Sequence, residues 1–260
     1  MSTTAFAVRD SRTMLRRNLR RMRRYPAMTL TLVFLPVVFL LLFVYVFGGT
    51  IGAGLGPSGG RADYANYVTP GILMMTIASI ATGTATGIAM DMTEGIIARF
   101  KTMAIYRPSV LAGHVIGSVV QTLLSLVVVT GVALLVGFRP TAGPMEWLAA
   151  GGLLVAVSVA ITWLSVAFGL VSKTVEGASN LPMPLILLPF LGSGFVPTES
   201  MPTVLRWFAD LQPFTPIMET LRGLLLGTGI GANAWLAAAW CVAITGLGYA
   251  WSRRLYNRQP

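Results

Sequence analysis

The chain has 260 residues, of which 55% are hydrophobic and 11% charged, and its net charge is +10. Soluble domains carry about a quarter charged residues, so this composition excludes a water-soluble fold and makes lipid the solvent for most of the chain. The basic excess calls for nucleic acid or anionic lipid as its counter-charge, and the single cysteine, Cys241, excludes an intramolecular disulfide.

In chain order, residues 1–27 are expected to form a cytoplasmic amphipathic helix. Val8, Ser11, Leu15, Leu19 and Met22 recur at spacings of three and four, beside a stripe of Arg9, Arg12, Arg16, Arg20 and Arg23. Such a helix lies in the inner leaflet with its arginines on anionic head groups. It abuts an apolar run and has no base-stacking aromatic among its arginines from Arg9 to Arg24, which argues against nucleic acid. That run is too long for a cleaved signal peptide and reads as an anchor.

Residues 28–260 read as one membrane domain. A span needs about 20 apolar residues, and the runs at 28–47, 67–90, 110–138, 147–171, 180–196 and 232–252 supply six. In the second, Ser79, Gly83 and Gly87 form a ladder of small residues, repeated by Gly113 and Gly117 in the third. Small residues let helices approach closely in lipid, either between subunits or within one. The connection 91–108 places Ile96, Phe100 and Met103 at helical spacing with Arg99 and Lys101 around them. It is either a helix projecting toward a protein partner or another helix on the inner leaflet.

The fifth run contains Pro182, Pro184 and Pro189, and proline removes a backbone donor and breaks regular helix. A broken helix in lipid must pack against protein or line a path, which makes Phe190 and Phe195 candidate pathway residues with the three prolines. Beyond it, Val204, Leu205, Phe208 and Leu211 make one apolar face. After Pro213 and Pro216, Ile217, Met218 and Leu221 make a second. The two faces predict short helices resting in the outer leaflet interface.

Fifteen of the nineteen Lys and Arg residues fall on the side of the N-terminus; Arg61, Arg139, Arg206 and Arg222 fall on the other. Positive charge marks the cytoplasmic side, so both termini are expected there. No G-x-x-x-x-G-K-[ST] loop, nucleophile–base arrangement or metal-ligand cluster stands out. The predicted spans hold no Asp, Glu, Lys or Arg, and His114 is their one ionisable group apart from tyrosine and Cys241. An ion-coupled carrier ordinarily needs such a group.

Several short marks follow one another along this framework. They are FGG at 47–49, YVTPGI at 67–72, D-x-x-x-G-I-I-x-R-F-K-x-M from Asp91 to Met103, GSGFVP at 192–197, MP at 201–202, QPFTP at 212–216 and ETLRGLLLG at 219–227. In this order and spacing the chain resembles the permease subunits of ABC type-2 exporters, in the branch of daunorubicin/doxorubicin-resistance permeases. The resemblance implies an all-α fold of six transmembrane helices at the inner (plasma) membrane, with an N-terminal connecting helix. It implies a cytoplasmic coupling helix in which Glu94, Gly95, Ile96, Arg99, Phe100, Lys101 and Met103 meet an ATPase. It also implies short re-entrant outer helices before the last span, carrying Pro202, Phe208, Pro213, Pro216, Glu219 and Arg222.

By the same resemblance, a second permease, expected to be identical, and two separately encoded ATP-binding subunits complete the complex. ATP and magnesium would sit on those subunits, and this chain would hold no cofactor or catalytic site. The implied cargo is a drug, polyketide or lipid-like compound. Two positions depart from the branch: Ala104 stands where proline is frequent, and His114 where arginine is frequent. The rival readings are a lipid-linked polysaccharide exporter, a secondary carrier and a membrane enzyme.

Overall fold

The computed structural model describes residues 26–54, 59–95 and 107–258. Helix α1 (Pro26–Leu42) continues through one π-helical turn (Phe43–Phe47) into the short α2 (Gly48–Gly52). The long helices α3 (Arg61–Thr93), α4 (Arg107–Val136) and α5 (Pro144–Val171) follow. Then come α6 (Val175–Asn180), α7 (Met183–Leu187), a 3-10 turn (Thr198–Ser200), α8 (Thr203–Leu211), α9 (Phe214–Leu226) and α10 (Asn233–Arg258). Among the described residues five helical stretches are long and apolar enough to cross a membrane: Val33–Gly52, Arg61–Thr93, Leu111–Val136, Pro144–Val171 and Asn233–Asn257. They coincide with five of the six expected spans. The remaining one, at 180–196, is not a continuous helix. Residues 183–187 form one short helix and 188–195 a run of turns, because the prolines leave too few donors for an i to i−4 ladder.

Helix α3 is the axis of the bundle. Of its most apolar window 78% is buried, against 22% for the α1 rod, 28% for α4 and 17% for α10. It packs on α1, α4, α5, α6 and α9. Its sequence permits this, because threonines, serines, alanines and glycines let neighbours come close. The hydroxyls stay bonded inside the helix: Thr69 donates to Ala65 O at 2.6 Å, Thr76 to Ile72 O at 2.8 Å and Ser79 to Met75 O at 2.9 Å. Across the α3–α4 crossing, Thr84 Oγ1 donates to Ser118 Oγ at 2.9 Å. At the α5 crossing, a Cβ on Gly169 would lie 2.6 Å from Ala85 O, so only glycine fits there. Helix α10 packs chiefly on α5, with Trp163 edge-on to Tyr249 at 5.0 Å.

The small-residue ladder divides. Ser79 is buried inside the chain, whereas Gly83 is exposed and a Cβ on Gly87 would meet nothing within 4 Å. Gly113 and Gly117 are buried. The two short helices at 197–227 also part company. Helix α8 exposes Val204, Trp207, Phe208 and Leu211, as expected for an interfacial helix. Helix α9 corrects the expectation. Phe214, Pro216, Ile217, Met218, Leu221 and Leu225 are buried, so this helix enters the core against α3, α5 and α10 instead of resting on a surface.

Candidate functional site

The broken segment after α6 creates a local problem of hydrogen bonding. Its turns leave carbonyls short of helical partners, although Leu188 O still accepts from Leu191 N at 3.1 Å, and a buried carbonyl short of donors is costly. Three side chains from elsewhere answer it. Gln212 Nε2 donates to Leu188 O at 2.9 Å, Arg222 Nη2 to Ser193 O at 2.9 Å and Tyr64 Oη to Phe195 O at 3.1 Å. The backbone can come this close to α3 because glycine faces glycine. A Cβ on Gly71 would lie 2.6 Å from Gly194 O, and one on Gly194 would lie 2.6 Å from Pro189 O. Pro182 and Pro189 are buried in this packing, while Pro184 is exposed at the start of α7.

On the α1 side of the segment lies an aromatic cluster. Phe190 and Phe195 stack with centroids 4.2 Å apart and planes 3° from parallel. Phe43 meets Phe195 at 4.6 Å, and Phe39 meets Phe190 edge-on at 5.6 Å. Phe43 and Phe47 bound the π-helical turn of the α1 rod; such turns frequently occur at functional sites.

On the α9 side, Arg222 ties three elements together. Its guanidinium is ion-paired with Glu219, bonds Tyr67 O at 3.1 Å as well as Ser193 O, and sits 3.9 Å over the Tyr67 ring. Arg222 is 6% exposed. A buried charge needs this many partners to be tolerated. Tyr67, Glu199, Asp210, Glu219 and Arg222 line a cavity of about 500 Å³ beside it. Thus Phe190, Phe195, Pro182, Pro189, Pro216, Glu219 and Arg222 come together around one segment. Pro202 and Phe208 stay on the exposed strip that includes α8, and Pro213 is half-buried at its junction with α9.

At the opposite end of α3, the helix runs on to Thr93 and stops at Glu94 and Gly95, where Gly95 takes φ +69°. That left-handed conformation favours glycine and ends helices. Ile96, Arg99, Phe100, Lys101 and Met103 lie outside the described residues, as does the arm before residue 26. Asp91, read from the sequence as part of the connection, is instead buried within α3, with its Oδ2 3.0 Å from Nε2 of His114 on α4. The helix thus runs past the predicted span 67–90, and the fold pairs a carboxylate just beyond that span with the imidazole 23 positions on.

Sequence reasoning also missed Tyr64 and Gln212. Gln212 sits in a mark already noted, and Tyr64 lies at the start of α3 one helical turn before Tyr67; neither signals by itself a bond across the fold.

Residues 9–226 match the model of the ABC-2 type transporter family. The chain belongs to that family. It is therefore a multi-pass membrane permease that works with an ATP-binding subunit. It is 28% identical over 226 residues to the daunorubicin resistance ABC transporter permease protein DrrB1 of Streptomyces coeruleorubidus, covering 86% of this chain and 77% of the relative. It is 22% identical to the probable doxorubicin resistance permease DrrC of Mycobacterium tuberculosis, covering 84% and 79%. To the inner membrane transport permease YadH of Escherichia coli it is 25% identical, covering 74% of each chain.

Proposed function

We propose that this ABC-2 permease exports a hydrophobic or amphiphilic molecule, such as a drug, polyketide or lipid-like compound, from the cytoplasm or inner leaflet. Two identical permeases would pair with two ATP-binding subunits, and both termini would face the cytoplasm. One observation carries the reading: the core holds a stretch of non-helical backbone at 188–195 that carries two stacked phenylalanines. Backbone of this kind at membrane depth is tolerated where protein buries it or a cavity adjoins it, and aromatic faces suit flat apolar cargo. The names of the drug-resistance relatives point the same way.

The orientation rests on the fifteen-to-four distribution of basic residues. It puts Asp91, His114 and the 91–108 connection inside, and α8, α9 and the cavity outside. Ser58→Cys should then react with a membrane-impermeant maleimide in intact cells, and Thr102→Cys only after the cells are opened. Within 91–108, Phe100 is the largest apolar anchor for an ATPase groove. Burying an aromatic at an interface contributes about 2 kcal/mol or more. Phe100→Ala should therefore cut co-purification of the ATP-binding subunit about tenfold or more. Arg99→Glu should weaken it in a salt-dependent way. Normal assembly in both variants would return the segment to the membrane surface.

The function is tested with the complex in inverted vesicles. ATP should drive accumulation of a hydrophobic fluorescent dye, and a dead ATPase subunit should abolish it. Uptake driven by a proton gradient without the ATP-binding subunit would favour a secondary carrier. ATP-driven movement of a lipid-linked oligosaccharide in place of the dye would favour the polysaccharide reading.

A further inference from the structure

Of the three side chains that hold the 188–195 turns, Arg222 differs in kind. Tyr64 and Gln212 each bond a carbonyl of the turns. Arg222 bonds the Ser193 carbonyl of the turns, the Tyr67 carbonyl of α3 and the Glu219 carboxylate of its own helix at once. It also stands between a packed aromatic cluster and a polar cavity. The turns it holds carry Phe190 and Phe195 of the aromatic cluster, and Arg222 itself lines the 500 Å³ cavity with Glu219 and Tyr67.

The contact is not a fully satisfied one. Around it four buried polar atoms, Ser193 Oγ, Gln212 Oε1, Thr215 Oγ1 and Arg222 Nε, have no hydrogen-bond partner among the described residues. Buried polar groups are ordinarily paired, and a group of unpaired ones calls for an explanation. A segment with few helical bonds, held by three side chains amid unmatched donors and acceptors, has hydrogen bonds to gain in a second arrangement. The Gly71–Gly194 contact would serve as the pivot, since backbone there lies against backbone with no side chain between.

We propose that Arg222 is a latch. Its bond to Ser193 O keeps the 188–195 turns closed between the aromatic cluster and the polar cavity, and its release lets the turns move off the stacked rings and extends the cavity toward them. The inference rests on the export reading above and deepens it by naming the residue that controls the outer end of the path. Arginine is suited to the task because its planar fork can hold two carbonyls and a carboxylate together. A lysine ammonium keeps the charge but not that geometry.

The test uses Ser193→Cys as a reporter in the permease–ATPase complex, reconstituted in nanodiscs and exposed to a hydrophilic maleimide. Labelling is read by peptide mass spectrometry. Ser193 is 2% exposed, and the native Cys241, 6% exposed on α10, reports on the integrity of the bundle in the same sample. With Arg222 present the introduced thiol should react slowly. With Arg222→Lys or Arg222→Ala it should react about tenfold faster, the size expected for losing a buried charged hydrogen bond, with Cys241 unchanged. Should Arg222→Ala fail to assemble, Arg222→Lys carries the test.

Equal rates with and without the arginine would overturn the latch, and so would a rise at both thiols together, which marks general loosening. ATP should speed labelling at position 193 when Arg222 is present and add little in Arg222→Ala. An ATP effect that is the same whatever residue stands at 222 would sink the latch and leave the export reading standing. Faster labelling in Arg222→Lys with no ATP effect in any variant would do the reverse.

Discussion

Proline occurs in both α3 and the 181–197 segment, with opposite results. Pro70 lies buried inside a helix of 33 residues that does not break. Pro182, Pro184 and Pro189 lie in a stretch where helix survives only as five-residue α7. One missing donor costs a helix one bond, and intact turns on either side hold it straight enough. In α3 the neighbours packed on every side of the helix, which bury Pro70 itself, hold those turns in place. Three missing donors in close succession leave only one short turn, Met183–Leu187, between them. The carbonyls then need donors from other elements, and Tyr64, Gln212 and Arg222 supply them. The difference teaches that a break in a membrane helix is sustained by side chains far away in sequence as much as by its own prolines.

The largest expected effect comes from the contact that seats the broken segment on the straight helix. Gly71→Val puts a branched side chain where even a Cβ meets Gly194 backbone at 2.6 Å. Backbone cannot swing aside as a side chain can, so the variant should lose about 3 kcal/mol or fail to fold. Gly87→Ala on the same helix meets open space and should gain up to about 1 kcal/mol from helix propensity. Thermal unfolding in detergent, followed by size-exclusion, compares the two; similar melting would remove the close-packed seat from the account.

Removing a donor comes next. Gln212→Leu leaves Leu188 O with only its bond from Leu191 N and should destabilise by about 1 kcal/mol. Tyr64→Phe deletes only the hydroxyl over Phe195 O and should cost about 1 kcal/mol. Denaturation of the purified permease ranks them, and a neutral result for both would mean that the segment holds itself. The smallest effect belongs to Pro184→Ala. Pro184 is exposed at the first turn of α7, where a missing donor matters least. Its change in stability should stay within about 0.5 kcal/mol.

The sequence announced the long helices because unbroken apolar runs leave few other structures open in lipid. It announced the break at 180–196 because three prolines are a local signal. Arg222 was legible as a basic residue in the ETLRGLLLG mark of the outer segment, without its partners. Its meaning depends on Tyr67, 155 positions away, and Ser193, 29 positions away, and no local pattern reports either. The burial of α9 was hidden for a related reason. An amphipathic short helix looks the same whether its apolar face meets lipid or core, and α8 and α9 took different answers. Asp91 and His114 each looked like a lone polar residue near a helix end. The signal that could have joined them was their similar depth on two consecutive antiparallel helices.

The π-helical turn at Phe43–Phe47 gives the α1 rod a further property. A turn that carries one residue too many can return to α geometry only if everything on one side of it rotates by about 100° relative to the other. The rod is therefore indexed like a screw with a single click. Twisting its N-terminal half by one click, with the remainder held, would carry Phe39 off Phe190 and bring a different side chain to the aromatic cluster, without melting a single turn.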